Sequence, residues 1–104
     1  VSLAGLEESE RGIIRQCLRA AADGPFFPDW EFETLFGLGR NELKDILEIW
    51  PDVDESEEKV QIAINNTLNN LLGYPHGCEK EWHQFITASA KQVQVIFEKW
   101  RGSV

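Results

Sequence analysis

Residues 60–77 read VQIAINNTLNNLLGYPHG, and the part up to Leu71 decides the fold. Val60, Ala63, Ile64, Thr67, Leu68 and Leu71 recur at spacings of three and four, the period at which side chains share one face of an α-helix. Asn65, Asn66, Asn69 and Asn70 fall on the back of that helix as two i, i+4 pairs, with Ile62 among them. Gly73 closes the pattern, and Gly73-Tyr74-Pro75-His76-Gly77 must be a turn, because two glycines and a proline interrupt any regular backbone there. The spacing predicts a helix from Ser56 to Leu72.

The same period recurs on both sides. Leu6, Ile13, Ile14, Cys17, Leu18 and Ala21 predict a first helix over Leu6 to Ala22, stopped by Gly24, in a left-handed cap, and Pro25. A short second helix opens at Pro28 and Asp29, with Asp29 as N-cap, and buries Phe32, Leu35 and Phe36. Leu43, Ile46, Leu47 and Trp50 mark a third over Arg40 to Trp50, ended by Pro51. Trp82, Phe85 and Ile86 mark a fifth over Glu79 to Ile86. Ser89 with Gln92 forms a capping box for a sixth, carrying Val93, Ile96, Phe97 and Trp100. Only Gln92-Val93-Gln94-Val95, which alternates like a strand, runs against an all-α fold.

Sliding the chain by 50 residues without gaps superposes its halves. Ile14 falls on Ile64, Leu18 on Leu68, Pro25 on Pro75, Glu31 on Glu81, Ile46 on Ile96, Glu48 on Glu98 and Trp50 on Trp100. With Glu7/Glu57 and Glu8/Glu58 this makes 9 identities, where chance gives roughly 3 at ordinary residue frequencies. A shared helical period explains matched apolar residues but not matched Pro and Trp. The expectation is one domain over 1–104, of about six helices, in two related helix–short helix–helix halves at 6–50 and 56–100.

From Gln61 to Cys78 no residue is charged, although 27% of the chain is. Four asparagines in a helix cost roughly 2 kcal/mol relative to good helix formers, so a compensating role is expected. Two readings stand. The amides satisfy buried backbone ends of neighbouring loops, or Asn65, Asn66 and Asn69 form a recognition face with Tyr74 and His76. Trp30 lies off the Phe32/Leu35/Phe36 face and extends that surface as an exposed anchor.

His76, Cys78 and His83 read H-x-C-x4-H, with Glu79 and Glu81 alongside. Imidazole and thiolate are zinc ligands, and three of them hold a metal with one position open, but the spacing matches no established finger. With one of the glutamates as base the group would suit a hydrolase, which nothing else in the chain supports. The acidic loop at 52–58 lacks the glycine and the spacing of a calcium-binding loop, so its carboxylates read as helix-start charges. No phosphate loop, nucleophile elbow or dinucleotide fingerprint occurs. No cofactor is expected.

Ten basic residues stand against 18 acidic ones, for a net charge of −8, and no Lys/Arg cluster offsets the balance. Such a surface repels phosphate backbones and anionic lipids, so neither nucleic acid nor a membrane is the expected partner. A basic protein partner, or a homodimer covering the uncharged face, fits better. Cys17 and Cys78 form no paired motif and read as reduced thiols. Residues Val1 to Leu6 lack the basic start and apolar run of a signal peptide, so a cytoplasmic location is the expectation.

At Trp50-Pro51-Asp52, and from Asn65-Asn66-Thr67-Leu68-Asn69-Asn70-Leu71-Leu72 through Gly73-Tyr74-Pro75-His76-Gly77, the chain resembles a family of small bacterial proteins of unassigned activity. The resemblance covers most of the second half and the Trp30–Gly39 region. It implies a stand-alone bacterial cytosolic protein and transfers no catalytic residue. The functional expectation is a non-catalytic interaction or regulatory module. The alternative is a small-molecule or metal-binding protein centred on His76, Cys78 and His83.

Overall fold

The apolar stripe of residues 60–71 becomes one side of the central helix pair. In the computed structural model, which describes residues 2–102, α4 spans Glu58–Gly73, and Ala63, Ile64, Thr67 and Leu68 are sealed from solvent. They pack on α1, Glu8–Asp23, whose Ile14, Cys17, Leu18 and Ala21 are equally buried. Each large apolar side chain so enclosed contributes about 1.5–3 kcal/mol. The α1–α4 seam is therefore the main source of cohesion. Ala20 and Ala21, both fully buried, keep α1 thin where neighbouring elements press on it.

Around this pair lie α2 (Asp29–Phe36), α3 (Arg40–Ile49), α5 (Trp82–Phe85, preceded by a 3-10 turn over Glu79–Glu81) and α6 (Ala90–Gly102). The fold is all-α, and no strand occurs among the described residues. Helix α3 packs on α1 as α6 packs on α4, while α2 lies across α4 as α5 lies across α1. Exchanging the two halves thus maps these four pairings onto one another. Corresponding helices begin fifty residues apart, at Glu8 and Glu58 and at Arg40 and Ala90, while Asp29 of α2 answers to Glu79 of the 3-10 turn. Burial repeats in step: Phe32 with Trp82, Phe36 with Ile86, Leu38 with Ala88, Leu43 with Val93, Ile46 with Ile96. So does the capping of α3 and α6. The Gly39 N–H donates to Glu42 Oε1 at 2.9 Å and the Ser89 N–H to Gln92 Oε1 at 2.8 Å.

Three local expectations change. The strand-like 92–95 segment is helical, because Val93 belongs to the longer stripe of Ile96, Phe97 and Trp100, whereas Val95 points outward at 55% exposure. Gly24 is not left-handed: its φ is −87°, and the glycine is needed because a Cβ there would meet Ala20 O at 2.5 Å. The left-handed cap belongs instead to Gly37, at φ 73° after α2. Asp29 makes no N-cap bond; its carboxylate pairs with Arg40 at 2.9 Å. At the chain's start, a 3-10 turn over Leu3–Gly5 is tied down by Glu55. Its carboxylate accepts from the Leu3 N–H at 2.6 Å and from the indole N–H of buried Trp100 at 3.1 Å.

Candidate functional site

The asparagines on the back of α4 meet the end of α2. A helix leaves its last carbonyls without donors, and two amides supply them. Asn66 Nδ2 donates to Phe36 O at 2.7 Å, and Asn70 Nδ2 to Leu35 O at 3.0 Å and to Asn66 O at 2.8 Å. Asn65 Nδ2 in turn donates to Asn66 Oδ1 at 3.1 Å, and Asn69 alone of the four is exposed. The expected recognition face is thus divided. Asn66 holds another helix in place, and Asn65 steadies Asn66. Uncharged amides are suited to this position because they donate to carbonyls without a buried charge to desolvate.

Tyr74 and His76 follow the end of α4. Pro75 has no N–H for Leu71 O, and the His76 amide turns to Tyr74 O at 2.8 Å, so Leu72 O also loses its helical donor. The imidazole covers one of the two carbonyls. His76 Nδ1 accepts from the Cys78 N–H at 2.9 Å, which leaves the proton on Nε2, 3.2 Å from Leu71 O. The ring stands edge-on to Phe26, with centroids 5.0 Å apart, and tilts only 27° from the Trp82 ring at 6.4 Å. The Tyr74 hydroxyl donates to Glu31 Oε2 at 2.6 Å, and that bond, then burial, raises its pKa above the usual phenol value. Beside these groups opens a cleft of about 300 Å³, lined by Leu72, Tyr74, His76, Glu79 and Trp82 and by Ser89 and Ala90 at the start of α6.

His76, Cys78 and His83 do not form a metal centre: among the described residues no group of three or more His, Cys, Asp or Glu is placed to hold an ion. Each has another partner. Both His76 nitrogens bond the backbone, His83 Nδ1 lies 3.0 Å from Ile86 O at the end of its own helix, and Cys78 Sγ approaches His76 O at 3.3 Å. Burial, then the charges of Glu81 and Glu79, push the Cys78 thiol up, away from the reactive thiolate. No family model, curated protein or solved structure matches the chain. The site must be read from its own chemistry.

Trp30 stands 81% exposed on the first turn of α2, as its place off the buried face predicts. Next to it in sequence, Glu31 holds Tyr74. A second groove, between α1 and α3, gathers Arg15, Arg19 and Lys44, a basic cluster that linear sequence conceals. Its charge is answered locally, since Asp23 lies 3.8 Å from Arg19 and 3.9 Å from Lys44, and Glu48 lines the same groove. Sequence reasoning took Trp82 for core alone, weighed Glu79 only as a metal ligand's neighbour or base, and passed over Ala90. The signal that links them is the 50-residue offset, which sets them against Phe32, Asp29 and Arg40.

Proposed function

We propose that this protein is a non-catalytic interaction module that receives a basic group of a partner protein in the cleft at the end of α4. The observation that carries the reading is the composition of that cleft. A largely buried aromatic side chain (Trp82), a carboxylate (Glu79) and the last residues of a helix line one concavity in a chain of net charge −8. Carbonyls at a helix C-terminus carry partial negative charge and favour a cation, and the acidic surface as a whole steers one toward it. Exposed Trp30 supplies a large apolar contact of the kind that dominates interface energies.

The non-catalytic part of the reading is supported by what the reactive groups are doing. The His76 ring is held between two backbone groups, and the Cys78 and Cys17 thiols are both displaced toward the protonated form. Cys17 and Cys78 are unpaired, which suits a reducing cytoplasm. No helix among the described residues is long and apolar enough to cross a membrane.

A photo-crosslinking residue tests the proposal. Placed at Glu79 in the native cell, it is expected to yield a discrete adduct that the same group at Lys91, on the outer side of α6, does not give. Equal capture at both positions, or none at Glu79, removes the cleft as the binding site of a partner protein.

A further inference from the structure

The first half of the chain contains a filled counterpart of the cleft. Arg40, the opening residue of α3, lays its guanidinium across the end of α1. Nη1 donates to Ala21 O and Ala22 O, both at 2.9 Å, and Nη2 donates to Phe27 O at 2.9 Å. Nη2 also pairs with Asp29 Oδ1 at 2.9 Å, and Cζ sits 4.3 Å above the centre of the Phe32 ring. The group is thus read by carbonyls at a helix end, a carboxylate and an aromatic face. Pro25 creates the vacancy at Ala21 O, since it has no N–H to donate.

Fifty residues on, the sequence offset gives each part of this receptor a counterpart position, but not the arginine. Leu71 and Leu72 stand for Ala21 and Ala22, Gly77 for Phe27, Glu79 for Asp29, Trp82 for Phe32 and Pro75 for Pro25. Ala90 stands for Arg40, at the head of α6 and behind the same capping bond, so the backbone arrives in the same way and the side chain is missing. Leu71, Leu72, Glu79, Trp82 and Ala90 all line the open cleft. Two differences bear on what fits. Gly77 does not line the cleft. His76, where the first half has Phe26, already donates to Leu71 O and tilts only 27° from the Trp82 ring. That leaves Leu72 O, the Glu79 carboxylate and the small exposed part of Trp82 to an incoming group.

We infer that this cleft is a receptor for a guanidinium group, brought by an arginine side chain of the partner or by a small guanidino compound. The inference rests on the reading of the cleft as the recognition site and names what it recognises. A guanidinium is planar, donates in several directions within its plane and stacks on aromatic rings. An ammonium presents a compact, strongly hydrated charge that cannot stack and span both acceptors. Arg40 shows the chain already using that geometry at the corresponding end of α1.

The test follows the Trp82 indole N–H, which donates to Ala88 O at 2.8 Å and so gives an ordered reporter beside the cleft, by nitrogen-edited NMR. N-acetyl-arginine amide is expected to shift this signal saturably and to leave Trp30 unmoved, with the lysine analogue about tenfold weaker. Glu79→Gln, a surface change, is expected to weaken arginine amide about fivefold. Ala90→Arg is the decisive variant. Its own guanidinium is expected to move the Trp82 signal to the saturated position, abolish binding of arginine amide and raise Tm. An Ala90→Arg protein that folds and still binds with unchanged affinity overturns the inference, as does a lysine analogue that binds equally or a Trp82 signal that never moves.

Methylguanidinium and a Gly-Arg-Gly peptide separate the two sources. Tighter binding of the peptide assigns the site to a partner's arginine, and equal binding assigns it to a small guanidino compound. If no guanidinium moves Trp82 while crosslinking from Glu79 persists, the ligand chemistry falls and the interaction module stands. Saturation at Trp82 with nothing captured from Glu79 keeps the receptor and removes the protein partner.

Discussion

At the scale of single residues, the structure places most weight on groups that close helix ends. Arg40 satisfies three carbonyls and covers Phe32 with its side chain only 21% exposed. Leaving buried acceptors without donors costs about 1–3 kcal/mol each. Arg40→Ala is therefore expected to lower the unfolding free energy by about 2–4 kcal/mol in urea titrations. Arg40→Lys should recover less than half, because one ammonium cannot reach Ala21, Ala22 and Phe27 together. Cys17 leads to a pH prediction. Burial pushes its thiol from 9.0 up to about 12. Above pH 9 the unfolded chain releases this proton and the folded chain keeps it, so unfolding is favoured as pH rises. The loss grows by up to about 1.4 kcal/mol per pH unit until the folded thiol ionises. Denaturation curves recorded between pH 9 and 12 should fall less steeply for Cys17→Ala than for the parent chain.

Helix α4 shows how one element's two faces are set by different neighbours. Its stripe was legible from spacing alone, as were the existence and approximate ends of α1, α2, α3 and α6, because each carries its own apolar period and stop residues. The purpose of its asparagines was not legible. Periodicity tells which residues share a face but not which element will lie over it. Asn66 and Asn70 acquire their role only when the end of α2 arrives, thirty and thirty-five residues away in sequence. Asn70→Ala and Asn66→Ala are each expected to cost about 1 kcal/mol while leaving any partner bound. Loss of the partner by a variant of full stability would instead restore the amides as a recognition surface. On the buried face, Thr67 Oγ1 is enclosed without a hydrogen-bond partner among the described residues. Thr67→Val keeps the shape and removes the unmet hydroxyl, so it should raise stability by about 1 kcal/mol, read as an increase in Tm.

For the whole molecule, the 50-residue offset relates the elements that frame the cleft and those that form the seam. The offset alignment carried the pairing of Arg40 with Ala90, but an alignment records that as a mismatch. An absent side chain becomes a signal only once the five partners of the present one are seen in space. Tyr74 and His76, expected on a recognition face, line the cleft, and Glu79, Trp82 and Ala90 line it without having been expected there. The seam makes a sharper demand. Cut between Val53 and Asp54, in the acidic loop, each half keeps its own helices but loses the surface that its main helix covers. Without α4, the stripe of Ile14, Cys17, Leu18 and Ala21 on α1 faces water; without α1, so do Ile64, Thr67 and Leu68 on α4. Helices of this length are marginal in water without such packing. Each fragment alone is therefore expected to show weak helical circular dichroism. Mixed in equal amounts, the two should recover most of the intact signal, because the contacts that fix the fold run between the halves. A first fragment that is fully helical and unfolds cooperatively by itself would show two self-sufficient units, and the α1–α4 seam could no longer be the centre of the fold.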